Sequence, residues 1–208
     1  MLIKAIKPTF DIEDSYNLKL VAGIDEAGRG PLCGPVFSAC ALILDRTVCP
    51  VEINDSKQIT EKNREKIFNK ILELESEKKI IFGIGEGSIE EIEEFNIRNA
   101  TKLSMERAYK NLIEKCSLSI DLVIVDGNFV PDIQTKAEFI IKGDEKSVSI
   151  ATASIIAKVT RDRLLRKMDL EFPEYNWVKN KGYGTSEHMK ALKKYGLSKY
   201  HRKSFIHI

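Results

Sequence analysis

The run Gly23-Ile24-Asp25-Glu26-Ala27-Gly28-Arg29-Gly30 constrains this chain more than any other stretch. It closes an apolar segment, Leu20-Val21-Ala22-Gly23-Ile24, that reads as a buried β-strand. Two adjacent carboxylates ending such a strand are costly unless a cation meets them. Strand side chains alternate, so Asp25 and Glu26 start on opposite faces. They can share one ion only near the strand end, where a twist or the Glu26 carbonyl brings the ligands together. A divalent metal is the cation that suits them. Gly28 and Gly30 permit close backbone approach to a ligand, and Arg29 offers a fork suited to phosphate. Acids for a metal beside a phosphate reader point to phosphodiester chemistry.

Two further acids sit in matching places. Asp121-Leu122-Val123-Ile124-Val125-Asp126-Gly127 reads as a strand ending in a carboxylate. Asp144 follows another strand, Ala137 to Ile141, within Lys142-Gly143-Asp144. In open α/β sheets, ligands bind outside the carboxyl ends of parallel strands. Acids converging there suit Mg2+ or Mn2+, and two such ions ~4 Å apart would activate water and stabilise the leaving oxygen. Each acid alone also suits a turn, Asp126-Gly127 most of all. A triphosphatase strand would need a Gly-x-x-x-x-Gly-Lys-Ser/Thr loop. Gly83-Ile84-Gly85-Glu86-Gly87 has an acid where the lysine belongs, which excludes that reading.

Along the chain, Val36 to Leu44 pairs with the first strand as a hairpin neighbour. Thr60 caps a helix carrying Ile67, Ile71 and Leu74 on its apolar stripe, and Ile80 to Gly85 forms a third strand. Ser88 and Glu91 make a capping box for a short acidic helix, and Asn99 to Cys116 is helical, burying Leu103, Ala108, Leu112 and Ile113. A long helix runs from about Ser147 to Leu170 and stops at Pro173. Met1 to Lys19 fits a helix or an extra strand. Strands first consecutive, then alternating with helices, predict one α/β domain with a mixed sheet over residues 1–208. Residues from about 171 to 208 form a basic helical appendage rather than an independent domain.

Net charge is only +2, but Lys179 to Lys203 holds eight Lys or Arg against the single acid Glu187. Glu86 to Glu94 holds five acids and no base, so the basic surface belongs to the C-terminal end. No apolar run approaches the ~20 residues of a membrane span, and no secretory signal opens the chain. Cys33, Cys40, Cys49 and Cys116 form no Cys-x-x-Cys pair and read as small buried hydrophobes in a reducing cytoplasm. His188 and His201 look too isolated for a metal pair.

The ordered set of motifs resembles one family, bacterial ribonuclease H type 2, or ribonuclease HII. Gly-Ile-Asp-Glu-Ala-Gly-Arg-Gly-Pro stands at 23–31, Asp-Ser-Lys at 55–57, Val-Asp-Gly at 125–127 and Lys-Gly-Asp at 142–144. Ala-Ser-Ile-Ile-Ala-Lys-Val-Thr-Arg-Asp stands at 153–162, Gly-Tyr-Gly-Thr at 182–185, and His-Arg-Lys-Ser-Phe at 201–205. The resemblance covers roughly residues 20–205. Type 3 relatives usually carry an N-terminal substrate-binding domain and a Glu at the fourth acidic position. This chain keeps Gly28-Arg29-Gly30 and Asp144.

The resemblance implies a ribonuclease-H-like fold, a mixed five-stranded sheet flanked by helices with a C-terminal helical part. It implies catalytic and metal-holding roles for Asp25, Glu26, Asp126 and Asp144, with two Mn2+ or Mg2+ ions. Its substrates would be RNA/DNA hybrids and single ribonucleotides in duplex DNA, cut on the 5′ side to leave 3′-hydroxyl and 5′-phosphate ends by a cytoplasmic monomer. The backbone of Gly28-Arg29-Gly30 would meet the 2′-hydroxyl, and Tyr183 would help identify the ribose. Lys57, Lys158 and Arg161 are phosphate-contact candidates, although Lys158, Asp162 and Arg166 could equally form a solvated charge row. Ser147 and Ser149 could cap a helix or contact phosphate. Tyr183, Tyr195 and Tyr200 interleave with Lys190, Lys193, Lys194, Lys199, Arg202 and Lys203 in a pattern suited to a nucleic-acid backbone. A fold-retaining binding module without cleavage is disfavoured by four intact acids, since clustered negative charge repels phosphate. A small-substrate phosphatase would leave the basic tail and Arg29 without purpose.

Overall fold

The apolar run that ends in Asp25-Glu26 becomes strand β1 (Val21–Ala27), the middle of a five-stranded sheet. The computed structural model describes residues 8–18, 20–50 and 60–206. β2 (Val36–Ile43) lies antiparallel to β1, and β3 (Ile80–Gly87) antiparallel to β2. β4 (Leu122–Asp126) and β5 (Ala137–Ile140) run parallel to β1 on its other side, giving the order β3-β2-β1-β4-β5. This is the mixed, helix-flanked sheet that the motif series implies. β1 and β2 read as almost continuous apolar runs because helices cover both their faces.

Two long helices provide that cover. α3 (Ile89–Lys115) packs Met105, Ala108 and Leu112 against Ala22, Ile24, Cys40 and Leu42. It opens with the Ser88–Glu91 capping box and breaks at Asn96, whose φ is +68°. The Asn96 side chain accepts from the N–H groups of Arg98 and Asn99, capping a second helix, so the two sequence-predicted helices follow one another across a kink. On the opposite face α4 (Val148–Glu171) packs Ala151, Ala153, Ile155, Ala157 and Val159 with Ala39 and Ala41. α2 (Glu61–Ser76), capped by Thr60, closes that layer with Phe68 and Ile71. Gly23 lets α4 sit directly on β1, because a Cβ there would lie 2.4 Å from the Ile150 nitrogen.

The N-terminal segment adds a strap. Its short helix α1 (Asp11–Ser15) buries Glu13 at the start of α4, where Oε1 accepts from the Ser147 hydroxyl at 2.7 Å and the Ser149 N–H at 3.0 Å. A carboxylate at that end is favoured by the helix dipole. Ser147 is therefore the buried N-cap of α4, its Oγ accepting the Ile150 N–H at 3.1 Å, and Ser149 is a buried first-turn residue whose N–H is taken by Glu13. After α4, α5 (Trp177–Asn180) and α6 (Ser186–Tyr195) surround a small core of Tyr175, Trp177, Leu165, Met168, Leu192 and Cys33. Cys33, Cys40 and Cys116 are buried free thiols, as their apolar setting predicts. Among the described residues no helix is long and apolar enough to cross a membrane.

Candidate active site

Parallel pairing brings the strand-end acids to one edge of the sheet. Ile24 pairs with Val125, which sets Asp25 level with Asp126, the last residue of β4. Alternation holds as expected. Asp25 shares its face with Gly23, under α4, and is partnered by the Ser154 hydroxyl. Glu26 lies on the other face, near Arg29, whose Nη1 donates to Glu26 Oε1 at 3.3 Å. Arg29 in turn lies over the Phe129 ring at 5.2 Å. Asp126 Oδ1 accepts the Gly143 N–H at 2.6 Å, tying β4 to the 3-10 turn Gly143–Glu145 that carries Asp144.

The electrostatics of this edge are unbalanced. Burial, then Glu26, then Asp126 push the Asp25 carboxyl well above the usual carboxylate range. Burial also raises Glu26, Asp126 adds to it, and Arg29 opposes both. Glu26 Oε2 is buried with no hydrogen-bond partner among the described residues. Oxygen-only ligands with an orphaned carboxylate oxygen and surplus negative charge fit a hard divalent cation. Asp25, Glu26 and Asp126 feel one another electrostatically, and the Gly143 N–H ties Asp126 to the turn that carries Asp144. Among the described residues no three acidic, His or Cys side chains close into a ready cage.

The glycine loop lies beside these acids. Gly28 has φ +106°, and a Cβ on it would meet Arg161 Nε at 2.2 Å, so both conformation and space demand glycine. Arg161, a phosphate-contact candidate from sequence, lies inside the protein. Arg161 is only 1% exposed and its guanidinium donates to the carbonyls of Pro35, Cys33 and Lys181. It holds the loop from inside and has no side free for phosphate. Arg202 is likewise buried, on the carbonyls of Gly28, Arg29, Pro31 and Gly34. Arginines look like surface groups in a sequence, and only the excess of turn carbonyls in a Gly- and Pro-rich loop could have hinted otherwise.

Lys158 remains partly exposed but is bound to Asp162 at 2.7 Å, and burial lowers its affinity for a proton. Asp162 is no solvated surface acid; it is 2% exposed, with Arg64 at 3.6 Å and Lys181 at 4.0 Å. Arg166 leaves the predicted row for Glu61 and Glu65. Lys57 lies outside the described residues. Of the proposed tail surface, Arg202 is buried, Tyr200 and the exposed Lys199 both bond Glu171, and Lys190, Lys193, Lys194 and Tyr195 on α6 stay outward with Lys203.

Tyr183 is half exposed, and a Cβ on Gly30 would sit 3.4 Å from its ring, so the structure sets the tyrosine and the glycine loop side by side. Its carbonyl accepts from His188 Nδ1 at 2.9 Å. His188 Nε2 then accepts from Trp177 Nε1 at 3.2 Å and from His201 Nε2 at 3.1 Å. His201 Nδ1 accepts the Ser198 N–H at 2.9 Å. The two histidines are thus a contacting pair of neutral rings, not isolated residues as their sequence separation suggested. Burial, then the neighbouring His188, lowers His201 to about 4, and burial lowers His188 too. Both folded values lie below the unfolded one, so the unfolded chain takes up more protons between pH ~6.5 and about 4, and stability falls as pH drops through that window. Thermal melts at pH 7 and 4.5 should show His201→Gln losing less stability than the parent, by on the order of 2 kcal/mol or roughly 5 °C. Equal losses would mean the pair is not buried neutral.

Comparisons with known proteins show the family and the fold. The family model described as Ribonuclease HII matches residues 22–208. A ribonuclease HII of Wolbachia pipientis subsp. Culex pipiens is 48% identical over 201 residues, covering 97% of each chain. The crystal structure of ribonuclease H2 from Pyrococcus horikoshii superposes with a TM-score of 0.71 at 26% identity, covering 89% of this chain and 93% of that one. Bst-RNase HIII, solved in complex with Mn2+, shares the fold with a TM-score of 0.68 at 18% identity, over 89% of this chain and 67% of the other.

Proposed function

This chain belongs to the ribonuclease HII family and is a ribonuclease H, a hydrolase cutting RNA paired with DNA; we propose that it also cuts 5′ of single ribonucleotides in duplex DNA, with divalent metal. The products would carry 3′-hydroxyl and 5′-phosphate ends, and the cellular task would be removal of misincorporated ribonucleotides. The observation that carries this reading is the level placement of Asp25 and Asp126 on parallel strands, beside a buried Glu26 oxygen without a partner.

Asp25, Glu26, Asp126 and Asp144 would hold Mn2+ or Mg2+. Such ions supply water activation and charge neutralisation at a phosphodiester. The chain's own groups do the rest. Ser154 and the Glu26 N–H orient Asp25, and Gly143 orients Asp126. The Gly28-Arg29-Gly30 backbone would read the 2′-hydroxyl, which tells RNA from DNA, with the Tyr183 ring against the sugar. Lys158 remains a candidate for a flanking phosphate through its exposed side.

The test is an end-labelled DNA duplex with one ribonucleotide, incubated with Mn2+, with Mg2+ and with chelator. A single cut 5′ of the ribonucleotide is expected with metal and none with chelator, while an all-DNA duplex stays intact. Cutting in chelator, or of the all-DNA duplex, would overturn the proposal.

A further inference from the structure

Arg202 is fully buried, and every hydrogen bond of its guanidinium goes to a main-chain carbonyl. Nε donates to Gly34 at 2.8 Å, Nη1 to Arg29 at 3.1 Å and Pro31 at 2.9 Å, and Nη2 to Gly28 at 2.6 Å. Its own N–H donates to the Leu32 carbonyl at 2.8 Å. A buried cation without a carboxylate is expensive, and only a dense cage of dipoles makes it tolerable. A packing role alone does not explain the choice, since an apolar side chain fills volume without that cost.

The explanation lies in which peptides are bound. The Gly28 carbonyl belongs to the peptide that carries the Arg29 N–H, and the Arg29 carbonyl to the one that carries the Gly30 N–H. All peptide bonds here are trans, so each N–H points opposite its carbonyl and away from Arg202. Neither N–H has a hydrogen-bond acceptor among the described residues. A cation on the oxygen side also polarises a peptide, strengthening its N–H as a donor. Both donors belong to residues with a neighbour in the site: the Arg29 side chain bonds Glu26, and the Tyr183 ring lies beside Gly30.

We infer that Arg202 is a positioning residue for ribose recognition: it draws the Gly28 and Arg29 carbonyls inward and so aims the Arg29 and Gly30 N–H groups at the 2′-hydroxyl. This rests on the function proposed above. The two can fail separately, because wild-type cleavage of the ribonucleotide duplex tests that function alone.

For Arg202 the measurement is binding in an Asp126→Asn background, which prevents cleavage. Arg202→Lys is compared with Arg202 on a one-ribonucleotide duplex and on the same duplex in DNA. The ratio of the two dissociation constants should shrink about tenfold, roughly one hydrogen bond. Affinity for the all-DNA duplex and its salt dependence should stay put, because a buried arginine touches no phosphate. An unchanged ratio, or an equal loss on both duplexes, would overturn the assignment. Should Arg202→Lys not fold, amide NMR of the Asp126→Asn chain decides. The Arg29 and Gly30 signals should move with the ribonucleotide duplex and not with DNA, and equal or absent shifts would overturn it.

Discussion

Asp25→Asn is expected to lower cleavage by about a thousandfold or more, ~4 kcal/mol of transition-state stabilisation, while making the chain more stable in chelator. The substitution keeps the volume and an Oδ1 able to accept the Glu26 N–H, which Asp25 now takes at 2.7 Å. What it removes is a buried charge that Glu26 and Asp126 repel. The gain should be about 1 kcal/mol, or roughly 3 °C in melting temperature. The pH dependence follows. Because the folded carboxyl titrates above its unfolded value, the native state takes up more protons there, and the parent loses stability as pH rises through that range. Asp25→Asn should flatten this slope. Mn2+ should reverse the order, since an ion bound only by the native state stabilises by mass action and the variant has lost a ligand. Melts with chelator and with Mn2+, beside a cleavage assay, check all of this. A variant that still cuts, or that melts lower in chelator, would make Asp25 a structural acid.

The acidic edge was legible because charge at the end of an apolar run is a local anomaly, visible without knowing the fold. Alternation even placed Asp25 and Glu26 on opposite faces, as observed. The loop supports were not legible. Arg161 and Arg202 are buried among carbonyls of which all but that of Lys181 come from residues at least 126 positions away, and charge in a sequence is read as surface. His188 and His201 stand 13 residues apart and meet only because the chain turns back after α6. Met1 to Lys19 fitted either a helix or a strand because the partner of Glu13, the start of α4, lies 134 residues on. Local pattern thus exposed the groups placed for chemistry, while long-range contacts hold them there.

The glycines of β3 are likewise explained by contacts distant in sequence. Gly83, Gly85 and Gly87 resembled a failed phosphate loop, yet their spacing serves packing. A Cβ on Gly87 would lie 2.5 Å from the Ala100 oxygen, on Gly85 2.0 Å from the Ser104 oxygen, and on Gly83 2.2 Å from the Ala108 oxygen. Two strand residues advance about 6.6 Å and four helix residues about 6 Å, so a glycine at every second position of β3 meets a small residue at every fourth position of α3. The Ser38–Ser104 hydroxyl contact of 2.5 Å fixes the same seam from β2. Gly85→Ala is therefore expected to destabilise the chain by about 3 kcal/mol or more, roughly 10 °C in melting temperature. The neighbouring Glu86→Ala, at an exposed position, should move it by no more than about 0.5 kcal/mol. Because the atoms met are main-chain ones, shrinking Ser104 to Ala should not rescue Gly85→Ala. A melt within about 2 °C of the parent, or full rescue by Ser104→Ala, would show that α3 rests on side chains and not on the bare backbone of β3.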